Sequence, residues 1–433
     1  MGSLRIRQDF MIALGLLEAP FAEGANKENE ALEMALARIR QLSAHEIGHT
    51  LGFAHNFTSS AKNRTSVMDY PHPNIEMQGD QISIANAYEV GIGDWDKVSV
   101  AYAYSDFPEG TDEKEALNAV IDQSAAAGHR FISDSDARPL GGAHPKAHLW
   151  DNGEVATDEL ARLMKIRKQA LGQLSLDHLR EGEPYSTLED RFVPMYLLHR
   201  YQVEAVVKLI GGVDYDYAVK GSQNYQVQVV DPTTQRNALL GYLNALAPDA
   251  LAIPETLHPL LPPRSFSNPR TRENFLSQTG VAFDYLGIAH SLSDALIGML
   301  LHPDRANRLV TQYGFDANQL SLKEMLDTLV DSHFKVKPRD RHQAQLNDLV
   351  KSTILKQLMY LGQQPDANPI VKALVVKQLV ALDRWLAGQE EEGFSEVYRM
   401  QIDRYFEAPA DFQPPTPERL PDGSPIGSYS CDF

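Results

Sequence analysis

From about residue 155 onward, apolar residues return every three or four positions, the spacing of a helix that buries one stripe. The pattern predicts helices over roughly 156–181, 188–211, 232–246, 284–301, 304–314, 321–333, 340–361, 367–388 and 393–406. Gly211-Gly212, Asp231-Pro232 and Leu260-Leu261-Pro262-Pro263 punctuate them. Tyr225 to Val230 is the one clear strand candidate. No fixed-period repeat marks a solenoid. The acidic run at 390–392 reads as a solvated face. The tail from Pro409, with Pro414, Pro415, Pro417, Pro421 and Pro425, reads as an extended segment lying on the body of the protein.

Upstream of 155 the pattern is shorter in range. Leu32, Leu36, Ile39 and Leu42 form a helical stripe, with Asn26 or Asn29 as N-cap and Glu28, Glu30 and Glu33 at the positive end. This helix is predicted to run to about Gly52. Leu4-Arg5-Ile6-Arg7 alternates like a strand, and the residues after it fit helix or strand. The apolar run Phe10 to Leu17 follows two arginines, as in a signal peptide. However, Asp9 abuts it and Glu-Ala-Pro stands at the cleavage region. It reads as a folded element packed on the long helix. Ile82 to Glu89 reads as a short helix or turn. Gly91-Ile92-Gly93-Asp94 caps a helix over Trp95 to Tyr104, with Val98 and Tyr102 facing a core. Residues 105–153 are loop-rich.

Composition narrows the classes. A chain of 433 residues, 43% hydrophobic, is long enough for two or three domains with real cores. A net charge of −18 argues against nucleic acid, since no basic stripe can neutralise phosphates. No apolar run of about 18 residues predicts a membrane span. The single Cys431 permits no internal disulfide. Asn56-Phe57-Thr58 and Asn63-Arg64-Thr65 match the glycosylation sequon, and both read as coincidence. Asp134-Ser135-Asp136 and Asp151-Asn152-Gly153 carry oxygens suited to calcium, though turn chemistry explains them as well. Asp94 and Asp96 read as caps. His144 and His148 are four apart, but with Pro145 between them and no third ligand.

The chemistry lies in His45-Glu46-Ile47-Gly48-His49-Thr50-Leu51-Gly52-Phe53-Ala54-His55, the pattern HExxHxxGxxH. His45 and His49 share a helix face and can bind one zinc at roughly 2.0–2.1 Å each. On a straight helix His55 would lie about 15 Å along the axis from His45, too far for one ion. The helix must therefore stop, and Gly52 is the residue that accepts the left-handed turn. His55 then returns as third ligand, leaving a fourth position for water. Glu46 lies off the ligand face, placed to take a proton from that water and pass it to a leaving amine.

This stretch resembles the extended zinc signature of the metzincin metallopeptidases. Ser66-Val67-Met68-Asp69-Tyr70 resembles their Met-turn, with Met68 beneath the three imidazoles. Tyr70 matches a position that is tyrosine in astacin-like and serralysin-like members, where it ligates zinc at rest and helps stabilise the oxyanion. The wider wording is similar to the C-terminal part of a large bacterial family of secreted zinc-dependent metalloproteases. Asn56 after the third ligand differs from other metzincin branches.

The resemblance implies a mainly α protein with a metzincin-like active-site helix and Met-turn, little sheet, and a large α-helical region. It divides the chain into a metzincin-like core over 1–106 and a helical region over 107–433, with the Pro-rich tail at 409–433. Metzincins place a mixed sheet before the active-site helix. Here only 44 residues precede His45, room for one or two strands. The expectation is the C-terminal part of a longer, exported protein whose upstream part is its partner. The His45–His49 face would then open to solvent, with support for the imidazoles lost along with the upstream residues. The implied activity is a zinc endopeptidase acting on polypeptides. The alternatives are a non-catalytic scaffold that keeps its zinc site, or a zinc hydrolase of a non-peptide amide.

Overall fold

Among the described residues helix accounts for 56% and strand for 3%, so the protein is mainly α with little sheet, as the sequence leads one to expect. The computed structural model describes residues 3–25, 27–221, 227–389, 393–416 and 420–423. Asn26, Tyr225, the acidic run 390–392, Pro417, Pro425 and Cys431 lie outside them.

In chain order the elements are α1 (Ser3–Leu16), α2 (Glu28–Thr50), β1 (Glu76–Gln78), β2 (Gln81–Ser83), α3 (Asp94–Tyr104), α4 (Glu113–Ala126) and α5 (Asp134–Ala137). Then come α6 (Ala156–Gln173), α7 (Glu189–Tyr196), α8 (Arg200–Val207), β3 (Val213–Tyr215), β4 (Val227–Val229), α9 (Pro232–Asn244) and α10 (Pro248–Leu251). The chain continues through α11 (Tyr285–Leu300), α12 (Pro303–Phe315), α13 (Leu322–Phe334), α14 (Arg341–Gln363), α15 (Pro369–Leu386) and α16 (Ser395–Glu407). The strands form two antiparallel hairpins, β1 with β2 and β3 with β4.

Local chemistry sets the helix starts. Asp231, Asp284, Ser321, Asp340 and Asn368 each accept a backbone N–H from the first turn of the helix that follows. Pro232, Pro303 and Pro369 supply a preset φ just inside three helices. Most buried faces share a core that runs from Ile12 in α1 to Tyr405 in α16, so residues on both sides of position 106 pack together, and a smaller cluster gathers Phe57, Tyr70, Ile132, Leu149 and Trp150. The tail lies on this body, as expected for its described part. Gln8 donates to the Asp422 carbonyl at 2.5 Å and Arg200 to that of Pro421 at 2.8 Å.

Several expectations need correction. Residues 3–16 form a helix, not a strand. Alternation over four residues is a weak signal, and packing of α1 against α2 and α7 outweighs it. The stripe expected to bury α2 is rotated: Leu32 is exposed, while Met34, Ala35, Arg38, Gln41 and Leu42 face inward. Burying Arg38 requires a partner, and Asp9 on α1 lies 4.0 Å from it. α2 begins at Glu28, so Asn29 is not its cap. Residues 82–89 form part of β2 and a turn, not a helix. Tyr102 on α3 is exposed. The helix expected over 188–211 breaks between α7 and α8. Pro194 lacks an amide proton inside α7, and at the break Arg167 takes the Tyr196 carbonyl at 2.8 Å. Within the loop-rich 105–153 stands the helix α4, capped by Asp112, whose side chain accepts from Glu115 N–H at 3.1 Å.

Candidate metal centre

α2 carries His45 and His49 one turn apart, toward its inner face. The helix ends at Gly52, which sits at φ +87°. Gly52 N–H bonds the His49 carbonyl at 3.0 Å and Phe53 N–H bonds that of Gly48 at 3.1 Å, a Schellman closure. The reversed chain brings His55 to the other two rings. His49 Nε2 lies 3.0 Å from His45 Nε2 and 3.1 Å from His55 Nε2.

The opposite ring nitrogens explain this convergence. Nδ1–H of His45 donates to the Val67 carbonyl at 2.6 Å, that of His49 to the Phe53 carbonyl at 2.9 Å, and that of His55 to the Asp134 carboxylate at 2.8 Å. None of these acceptors has a proton to give, so each Nδ1 carries the proton and each Nε2 presents a lone pair. Three lone pairs aimed into one space repel unless a cation lies between them. Burial pushes His45 down to about 3, which keeps its own ring neutral near neutral pH. The donor set fits a single zinc ion, which takes neutral imidazole nitrogens at roughly 2.0–2.1 Å.

The His45–His49 face is less open than expected: His45 is 1% exposed and His55 2%, while His49 is half-buried. Nor is support for the imidazoles missing, because this chain supplies all three Nδ1 acceptors. The segment after α2 is held rigidly. The Val67 carbonyl that receives His45 also accepts from Gln41 at 3.2 Å. Asp96 on α3 accepts from Val67 N–H at 2.9 Å, from Ser66 Oγ at 2.6 Å and from Gly93 N–H at 2.7 Å. Asp96 is thus a cap that also clamps the turn carrying Met68, while Asp94 pairs with Lys97 at the surface. Met68 is buried against the inner side of α2. A Cβ on Gly48 would lie 2.2 Å from Met68 Sδ, so this helical glycine is what lets the methionine approach.

Tyr70 packs on the metal-facing group. Its ring lies 5.1 Å from that of His45, 4.8 Å from that of His55, and stacks on Trp150 at 5.5 Å. Trp150 adopts φ +58° and donates its N–H to the Tyr70 carbonyl at 2.8 Å. Glu46 follows His45 on α2 and is exposed.

Three contributors were missed by sequence reasoning: Asp134, Arg138 and Trp150. Asn56 is the link to them. Its Nδ2 donates to the Arg130 carbonyl at 2.7 Å, its Oδ1 accepts from Ile132 N–H at 3.3 Å, and its N–H bonds the Met68 carbonyl at 3.0 Å. This lays residues 130–132 beside His55 and brings in α5. Arg138 then bonds Asp134. Partial burial favours the neutral Asp134 carboxyl, but hydrogen bonds from His55 and Arg138 overcome it and hold the group well below the usual carboxylate range. A polar residue directly after His55 was the only sequence hint.

The oxygens offered for calcium are engaged by protein donors. Asp134 serves His55 and Arg138, Asp136 serves Tyr215 and Tyr217, and Asp151 accepts from Ser60 at 2.9 Å. His144 and His148 diverge: the first donates to the Tyr215 carbonyl at 3.0 Å, the second faces Glu204 at 3.3 Å. A cavity of about 420 Å³ lies behind the turn that carries Met68, and none of the three imidazoles lines it.

Comparison with known proteins agrees with this geometry. A family model described as Met-zincin matches residues 27–340, which hold His45, His49 and His55, the Met68 turn, Asp134 and Arg138. No curated protein matches the chain. No solved structure matches it either.

Proposed function

The chain belongs to the Met-zincin family, and from that membership we propose that it is a zinc-dependent endopeptidase acting on polypeptide substrates. The observation that carries this reading is the trio of Nε2 lone pairs, with every Nδ1 already committed. His45, His49 and His55 would hold the ion, which supplies Lewis acidity to lower the pKa of water and polarise a carbonyl.

The chain's own groups supply the rest. Glu46 takes a proton from the attacking water and later delivers it to the departing amine nitrogen. Tyr70, packed beside His45 and His55, offers its hydroxyl to the oxygen that gains charge as the carbonyl carbon becomes tetrahedral. Met68 and the Asp96 clamp keep the ligands in one arrangement. No described helix is long and apolar enough to cross a membrane. Export, and a partnership with an upstream part of the same protein, rest on the resemblance in the sequence.

The test is Glu46→Gln measured beside the parent protein. The variant should keep one zinc per chain and lose hydrolysis of a peptide library by about 10²-fold or more, roughly 3 kcal/mol of transition-state stabilisation. Undiminished cleavage removes Glu46 from the mechanism. A parent protein that binds zinc yet cuts no peptide points to the scaffold or to a non-peptide amide.

A further inference from the structure

Arg138 lies outside the motif, yet it touches Asp134, Tyr70 and Phe57 at the edge of the site. It lies on the turn just after α5. Its Nε donates to Asp134, whose other oxygen receives His55 at 2.8 Å and Ser133 Oγ at 3.1 Å. Its guanidinium lies 5.6 Å from the ring centre of Tyr70 and 5.7 Å from that of Phe57. Phe57 in turn lies 5.2 Å from the ring of His55. The contacts close a circuit: His55 to Asp134, Asp134 to Arg138, Arg138 to Tyr70, and Tyr70 back to His55 at 4.8 Å.

We propose that Arg138 is a positioning residue with two outputs. Through Asp134 it fixes the ring of the third ligand, and directly it holds the Tyr70 side chain in place. The proposal rests on the metallopeptidase reading for its second output only. The physical case has three parts. A carboxylate with one oxygen on a fixed arginine cannot rotate away from the imidazole that its other oxygen holds. A guanidinium set against the Tyr70 ring fixes where that side chain, and with it the hydroxyl, lies. Tyr70 held in this way offers its O–H to a developing oxyanion, one of the two roles that the astacin-like resemblance suggests. Finally, the planar guanidinium can stack on Phe57 and Tyr70 while bonding Asp134, a combination that lysine cannot reproduce.

Two variants test the two outputs. Zinc affinity is read by competition with a chromogenic chelator, and ligand geometry by the visible spectrum of the cobalt-substituted protein. Both readings need no substrate. Arg138→Met should weaken zinc binding about 10- to 100-fold and alter the cobalt spectrum. Binding within twofold of the parent, with an unchanged spectrum, overturns the output through Asp134. Arg138→Lys keeps a cation beside Asp134 but cannot serve Tyr70 as well. It should bind zinc nearly as the parent does and lower kcat to the level of Tyr70→Phe, with KM little changed. The double variant Arg138→Lys with Tyr70→Phe should be no slower than Tyr70→Phe alone. Parental kcat in Arg138→Lys, or losses that multiply in the double variant, overturn the output to Tyr70. Should Arg138→Met not fold, Asp134→Asn gives the same metal readout, and parental zinc affinity there also overturns the first output. If the parent binds zinc but cleaves nothing, the peptidase reading fails while the affinity and spectral results still decide the role of Arg138 at His55.

Discussion

Gly48→Ala sets two opposing effects against each other inside α2. In an unencumbered helix interior, alanine in place of glycine stabilises by about 1 kcal/mol, because the unfolded chain has less freedom to lose. Here the new methyl would stand 2.2 Å from Met68 Sδ, against the 3.4 Å at which ordinary contact begins. The side chain must give way by the difference, about 1.2 Å. Met68 is flexible, but it is 1% exposed and enclosed by the turn that Asp96 clamps. Overpacking of this kind costs about 1–3 kcal/mol, so the expected net result is a loss of roughly 1 kcal/mol instead of a gain of the same size. Gly241→Ala is the control, since Gly241 lies within α9 and a Cβ there would meet nothing within 4 Å. It should stabilise the protein. Urea unfolding of both variants, without added metal, separates the two effects through the midpoint at constant slope. If Gly48→Ala stabilises as much as Gly241→Ala, the close approach of Met68 to α2 is not a constraint and the reasoning fails.

Three further outcomes are expected. Tyr70→Phe should lower kcat with little change in KM, as befits a contact made in the transition state, and a change confined to KM would contradict that role. Zinc at about 100 times its Kd should stabilise the fold by ~2.7 kcal/mol, and His55→Ala should largely abolish the shift at the same zinc concentration; an equal shift in the variant excludes His55 as a ligand. Burial pushes His333 on α13 from 6.5 down to about 4, so as pH falls through 6.5 the unfolded chain takes up the proton first and the fold loses stability until about pH 4. His333→Gln should remove a share of that slope on the order of 3 kcal/mol across the window, read from denaturant midpoints at several pH values.

What the sequence discloses is local. His45, His49, Gly52 and His55 are tied by helix geometry and a turn, and a short motif encodes both. Met68 and Tyr70 follow within fifteen residues of His55 and arrive by resemblance. Asp134 is a different matter. It is an aspartate in a turn-rich stretch, and its reach to His55 depends on Asn56 bonding residues 130–132, which no spacing rule encodes. The rotated face of α2 has a similar cause. Counting apolar residues chose Leu32 and Leu36, but a buried Arg38 with Asp9, and a Gln41 bonded to a carbonyl, outweighed them. The start of α4 was readable, since Asp112 with Glu115 is a capping pattern, and the surrounding polar residues obscured it.

The separation of 79 positions between His55 and Asp134 bears on how the site comes into being. The motif can be translated and coil into α2 early, but the third imidazole has no anchor until α5 has docked. Closing a loop of that length has an entropic cost that must be met before the contact returns anything, so the step belongs late in folding. A nascent or partly unfolded chain would thus hold two anchored ligands and one wandering ring. High-affinity metal capture, and any hydrolytic competence that depends on it, would arrive together with the docking of the downstream helices. The order of assembly alone would keep an unfinished chain from acting on its neighbours.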